Sequence, residues 1–215
     1  MRGGRQLASL VLVAALLLAV APRPARAHDT PQSAGAPARL LSTHPSLGVI
    51  GRAPRFTLGD PEGRPVSLTD FAGRIVLLAF IYTSCPSACP LVTQRMAVLQ
   101  RRLTAAGLFP SRVNFVSVTV DPDRDTSETL ARYAKGFGAD PRGWKFLRDG
   151  SDALRPVLAA WDEWTKPLPA GEIDHPARLY LIDGAGRVRE IYSLSLFDER
   201  QAFLDIRALL GQPGP

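Results

Sequence analysis

Apolar residues fall along this chain in dense runs separated by stretches of helical spacing. Residues 75–82 (IVLLAFIY) are apolar throughout, the pattern of a central strand covered on both faces. Residues 113–120 (VNFVSVTV), 178–183 (RLYLID) and 187–193 (RVREIYS) predict further strands, the last two joined by the hairpin signal Gly184-Ala185-Gly186. After the first strand, Pro90 suits a first helical position, Val92, Met96, Leu99 and Leu103 recur on one helical face, and Gly107 ends the helix. A second helix is predicted with Asp125 as N-cap and Glu128 three residues on, presenting Leu130, Tyr133, Ala134 and Phe137. A third spans residues 151–161 with Pro156 inside it, and a fourth spans 198–210 before Gly211. Residues 54–68 (PRFTLGDPEGRPVSL) form a hairpin turning at Asp60-Pro61-Glu62-Gly63. This order predicts an α/β fold: a central mixed sheet flanked by helices, preceded by an N-terminal β-hairpin.

The first residues follow another pattern. Arg2 and Arg5 precede an unbroken apolar or small run over residues 7–20, and Ala25-Arg26-Ala27 is an A-x-A cleavage site. The run is shorter than the roughly 17–25 residues of a spanning helix, which favours a removed signal over a retained anchor. No cysteine lies near the cleavage site, so no lipoprotein attachment is expected. The predicted organisation is a signal peptide or anchor over 1–27, a flexible Ala-, Pro- and Ser-rich linker over 28–47, and one folded domain over 48–211. The protein is expected in the bacterial periplasm, soluble or anchored to the inner membrane, with no other membrane association.

Charge changes the picture once the signal is set aside. The formal net charge of +6 falls to +2 without Arg2, Arg5, Arg23 and Arg26, since residues 1–27 hold no acidic residue. A nucleic-acid partner is therefore not expected.

The two cysteines of the chain, Cys85 and Cys89, each precede a proline and sit between the apolar strand and the amphipathic helix. Export favours a disulfide between them, but so short a link removes little chain entropy and makes a poor staple. At a helix start, unpaired amide N–H groups stabilise a thiolate, giving a nucleophile or a ligand. Strand, thiol loop and helix form the thioredoxin arrangement, with three residues between the cysteines rather than two. The T-x-x-C pattern of peroxidatic thiols is absent, because Tyr82 stands three before Cys85. Of the three histidines, His28 and His44 lie in the linker, and only His175 lies in the domain, just before a predicted core strand. Two thiolates and one imidazole on converging loops suit Cu(I), and such a set can also hold Cu(II), whereas structural zinc wants a fourth protein ligand. The residues by themselves leave redox pair and metal site both open.

The segments FIYTSCPSACPLV (80–92), VSVTVDPDRDT (116–126) and IDHPARLYLIDGAGRV (173–188), in this order and spacing, resemble the SCO/SenC family of exported, thioredoxin-fold copper proteins, over most of residues 48–210. The resemblance implies that Cys85, Cys89 and His175 ligate copper. It implies delivery of copper to the copper A centre in subunit II of cytochrome c oxidase or another periplasmic copper acceptor, or reduction of that acceptor's cysteines. Asp121 and Asp125 resemble the family's D-x-x-x-D element and would contact the partner. In the alternative, Cys85 and Cys89 act as a thiol-disulfide oxidoreductase whose pair cycles through a disulfide, and His175 only tunes them. A copper carrier is not a turnover enzyme; a thiol reductase is. Two positions depart from the pattern or resist placement: Ser87 stands where members often carry an acidic residue, and Pro176 lies near the cis-proline position of a thioredoxin-like fold.

Overall fold

Strand β4 (Ile75–Ile81) is buried along its whole length and organises the sheet in this computed structural model, which describes residues 47–211. The signal segment, nearly all of the linker, and His28 and His44 lie outside the described residues. β4 pairs in parallel with β5 (Val113–Thr119), from Ile75 opposite Val113 to Ile81 opposite Thr119. On its other side it pairs antiparallel with β9 (Arg178–Ile182), with Val76 opposite Ile182 and Ala79 opposite Leu179. Outward from these, β5 pairs with β6 (Trp144–Leu147), and β9 with β10 (Arg187–Ser193), which in turn pairs with β1 (Gly51–Arg52). The six-stranded mixed sheet has the order β1-β10-β9-β4-β5-β6.

The apolar stripe of α1 (Ala88–Ala105) buries Val92, Met96, Leu99 and Leu103, and α1 packs against α4 (Glu199–Gly211). A Leu or Met side chain taken fully from water contributes about 1.5–3 kcal/mol. That stripe therefore holds the helix against the sheet, and with it the first helical turn that carries Cys89. Helix α2 (Ser127–Gly136) follows β5, and α3 (Ser151–Ala160) follows β6 with Pro156 inside it. β2 (Thr57–Gly59) and β3 (Pro65–Ser67) form the predicted hairpin, with Gly63 at φ 78 in its turn. A second small hairpin joins β7 (Lys166–Pro167) to β8 (Ile173–Asp174), immediately before His175.

The four predicted core strands and four helices are all present, and β4 and β5 are adjacent, parallel and central. The fold is thioredoxin-like. Three expectations need correction. The N-cap of α2 is Thr126, whose hydroxyl accepts from the Thr129 N–H; Asp125 is drawn instead into the interior. Helix α1 begins at Ala88, so Cys89 lies inside its first turn. The one cis peptide among the described residues precedes Pro110, not Pro176.

Candidate metal centre

The loop leaving β4 turns Cys85 back over the start of α1. The Cys89 N–H donates to the Cys85 sulfur at 3.4 Å, and both cysteines are reduced and buried. The hydrogen bond from the Cys89 side chain holds the Cys85 thiol down to about 5. Burial opposes that shift, and the amides of Cys89 and Ser87 and the Tyr82 hydroxyl reinforce it. Cys89 is pushed up by the same hydrogen bond and by burial. At neutral pH the pair is one thiolate and one thiol sharing a proton.

Tyr82 links the thiols to the histidine loop. Its hydroxyl accepts from the Ile173 N–H at 3.2 Å and bonds the Cys85 sulfur, and burial, with Cys85 beside it, pushes the phenol up. Its ring meets the His175 ring edge-on, centroids 5.9 Å apart. The sequence singled out Tyr82 only as a mismatch to a peroxidatic motif; its role depends on β9 returning beside β4.

His175 turns its Nδ1 away from solvent, where the Ala177 N–H donates to it at 3.3 Å and Glu163 Oε2 lies 3.7 Å off. Among the described residues, no three His, Cys, Asp or Glu side chains stand close enough to hold a metal ion. The structure thus joins Cys85 with Cys89 directly and sets His175 one aromatic ring away; a three-ligand site requires a shift of the loop that carries it. The donors present fit a soft metal: a thiolate already deprotonated, a thiol in contact with it, and an imidazole behind the same tyrosine.

Asp125 has no accessible surface. Its carboxylate accepts from the Thr83 N–H at 3.1 Å, from the Thr83 hydroxyl, and from the Thr119 hydroxyl at 2.5 Å. It therefore clasps the ends of β4 and β5 under the thiol loop, and a partner cannot touch it in this conformation. Asp121 is also buried, bound to Arg124, at the edge of a cleft of about 700 Å³ that Trp164 and Glu172 also line.

The SCO1/SenC family model matches residues 50–211. The chain belongs to the SCO1/SenC family. Among SCO1/SenC relatives, it is 30% identical over 144 residues to the SCO1 protein homolog of Bacillus subtilis (strain 168), covering 64% of this chain and 72% of that one. It is 33% identical to the mitochondrial SCO2 homolog of Bos taurus, covering 64% of this chain and 52% of the other, so it spans about half the length of that relative. Among solved structures, a SCO1/SenC family lipoprotein from Bacillus anthracis str. Ames superposes with TM-score 0.67 at 28% identity, over 74% of this chain and 95% of that one. Bradyrhizobium japonicum ScoI, solved with copper bound, superposes with TM-score 0.64 at 26% identity, over 74% and 99%.

Proposed function

We propose that this SCO1/SenC protein is a periplasmic copper metallochaperone that binds one copper ion through Cys85, Cys89 and His175. Its acceptor would be the copper A centre in subunit II of cytochrome c oxidase. The observation that carries the proposal is the pair itself. A thiolate held down to about 5 beside a buried thiol offers two soft donors in contact, and the one histidine of the folded domain waits on the loop across Tyr82. Copper is bound in the related ScoI structure, and the Sco family is one of cytochrome c oxidase assembly proteins. Copper passes to the acceptor by ligand exchange. Asp121 lines the cleft edge beside Arg124, which supports assigning acceptor contact to it; Asp125 supports the loop from beneath.

The lowered Cys85 thiol also supports a second activity on the same acceptor. The Cys85 thiolate attacks a partner disulfide, forming a mixed disulfide and releasing one partner thiolate. Cys89 then loses its proton and attacks the Cys85 sulfur, expelling the second partner thiolate and leaving a Cys85–Cys89 disulfide.

Copper titration of the reduced full chain against a competing chelator tests the ligand set. One ion per chain is expected, with tight binding lost in Cys85→Ser or Cys89→Ser. In His175→Ala, binding weakens while thiol oxidation is unchanged. A His175→Ala protein that binds copper as tightly as the parent would leave the thiol reductase as the better account. Export is tested by N-terminal sequencing from the native host, with His28 expected as the first residue; an intact 1–27 segment would make it an anchor.

A further inference from the structure

Glu163 is a carboxylate that the fold has walled in. Its side chain has no exposure, Tyr180 donates to its Oε1 at 3.0 Å, and its Oε2 has no hydrogen-bond partner. Leaving a buried acceptor unpaired costs about 1–3 kcal/mol, more when it is charged. The imidazole of His175 stands beside it, with Nδ1 3.7 Å from that oxygen.

The backbone holds both members in place at a cost. Three non-glycine residues among those described adopt left-handed backbone. Two of them flank this pair: Asp162 at φ 53 immediately precedes Glu163, and Ala177 at φ 52 lies two residues after His175. Such conformations persist where the surroundings over-determine them, and they gather at functional sites.

We propose that Glu163 is a positioning residue for His175: its Oε2 accepts a hydrogen bond from Nδ1–H, which keeps the proton off Nε2 and leaves that nitrogen's lone pair for copper. The inference rests on His175 being a ligand. Nδ1 cannot accept from the Ala177 N–H and donate to Glu163 at once, so the two neighbours select opposite tautomers. The Ala177 N–H is the closer neighbour, at 3.3 Å, and the Glu163 oxygen at 3.7 Å comes within hydrogen-bond distance by a small turn of the ring; a buried carboxylate oxygen left without a partner is the costlier group to abandon. Metal-binding histidines commonly donate their second nitrogen to a carboxylate in this way, and loss of that partner typically lowers metal affinity about 10–100-fold.

Nitrogen-15 NMR of the reduced, metal-free full chain, labelled at histidine and recorded at pH 8, reads the tautomer directly. His175 is expected to carry its proton on Nδ1. In Glu163→Met the proton should move to Nε2, because only the Ala177 N–H then faces Nδ1, while Tyr180 keeps the Trp161 carbonyl 3.0 Å away as its acceptor. Copper affinity of that variant should fall about 10–100-fold with both thiols still titrating normally. A parent protein with its proton on Nε2, or a Glu163→Met protein with an unchanged tautomer, would overturn the role of Glu163 alone. Undiminished copper affinity in His175→Ala would instead remove the imidazole from the ligand set, and this inference with it.

Discussion

The amide of Cys89 points at the sulfur of Cys85 from 3.4 Å, so the second cysteine of the motif stabilises the first as an anion before any metal or partner arrives. One consequence is a split titration. Thiolate absorbance near 240 nm should show one group ionising at about 5 and the other still protonated well above the ordinary thiol range. Copper binding at pH 7 should then release close to one proton from the thiols. Calorimetry in buffers of different ionisation enthalpy counts it, and a release near two would contradict the split.

The same split gives a signed dependence of stability on pH. Cys85 ionises lower in the fold than in the unfolded chain, so its stabilisation is present above the unfolded thiol value and is lost as pH falls through about 5. Cys89 is shifted upward, so above the unfolded thiol value the fold retains a proton that the unfolded chain releases, and stability declines there. Urea midpoints of the parent relative to the Cys85→Ser/Cys89→Ser double variant should therefore peak near the ordinary thiol pKa. A difference that is flat from pH 5 to 9 would show that the two thiols do not share a proton.

Tyr82→Phe removes the hydroxyl that bonds Cys85 and leaves the Ile173 N–H without its acceptor. The Cys85 thiol should titrate higher than in the parent, because its anion loses a donor. Stability should fall by about 1 kcal/mol for the lost hydrogen bond. The 240 nm titration and a urea melt check the two effects separately.

Asp125→Ala orphans the Thr83 N–H and both threonine hydroxyls beneath the thiol loop. A loss of about 2–4 kcal/mol is expected from buried donors left unpaired, read as a lower urea midpoint at unchanged slope. A loss below about 0.5 kcal/mol, the size of an ordinary surface change, would mean that the carboxylate is no clasp.

The central strands were legible because seven consecutive apolar residues such as Ile75–Ile81 need cover on both faces, whatever the rest of the chain does. β6 was not, because WKFL is four residues long and reads as neither alternation nor a run. Asp125 departs from the capping role its spacing predicts for a physical reason: an acid three residues before a glutamate satisfies the local capping pattern, but Thr83 and Thr119, brought up by the β4–β5 pairing, bind its carboxylate in place of the helix amides. The thiols and His175 stood out by residue type and scarcity. Glu163 gave no such signal, since its partner Tyr180 arrives on β9 from 17 residues away, and nothing in the linear sequence AWDEWT marks it as buried.

The antiparallel pairing of β9 with β4, fixed from Val76–Ile182 to Ala79–Leu179, also decides how the chain tolerates changes of length. The position of His175 is counted backward from the ladder at Ile182, not forward from Cys89, so the many residues between thiols and imidazole do not measure the distance between them. Residues inserted at the exposed turn Pro169–Gly171 would lengthen a surface detour and leave the two ends meeting as before. A single residue inserted between His175 and Leu179 would rotate the imidazole out of the site while leaving every strand intact. In this chain the outer turn can therefore change length without moving the site, whereas the four-residue step from His175 to Leu179 cannot.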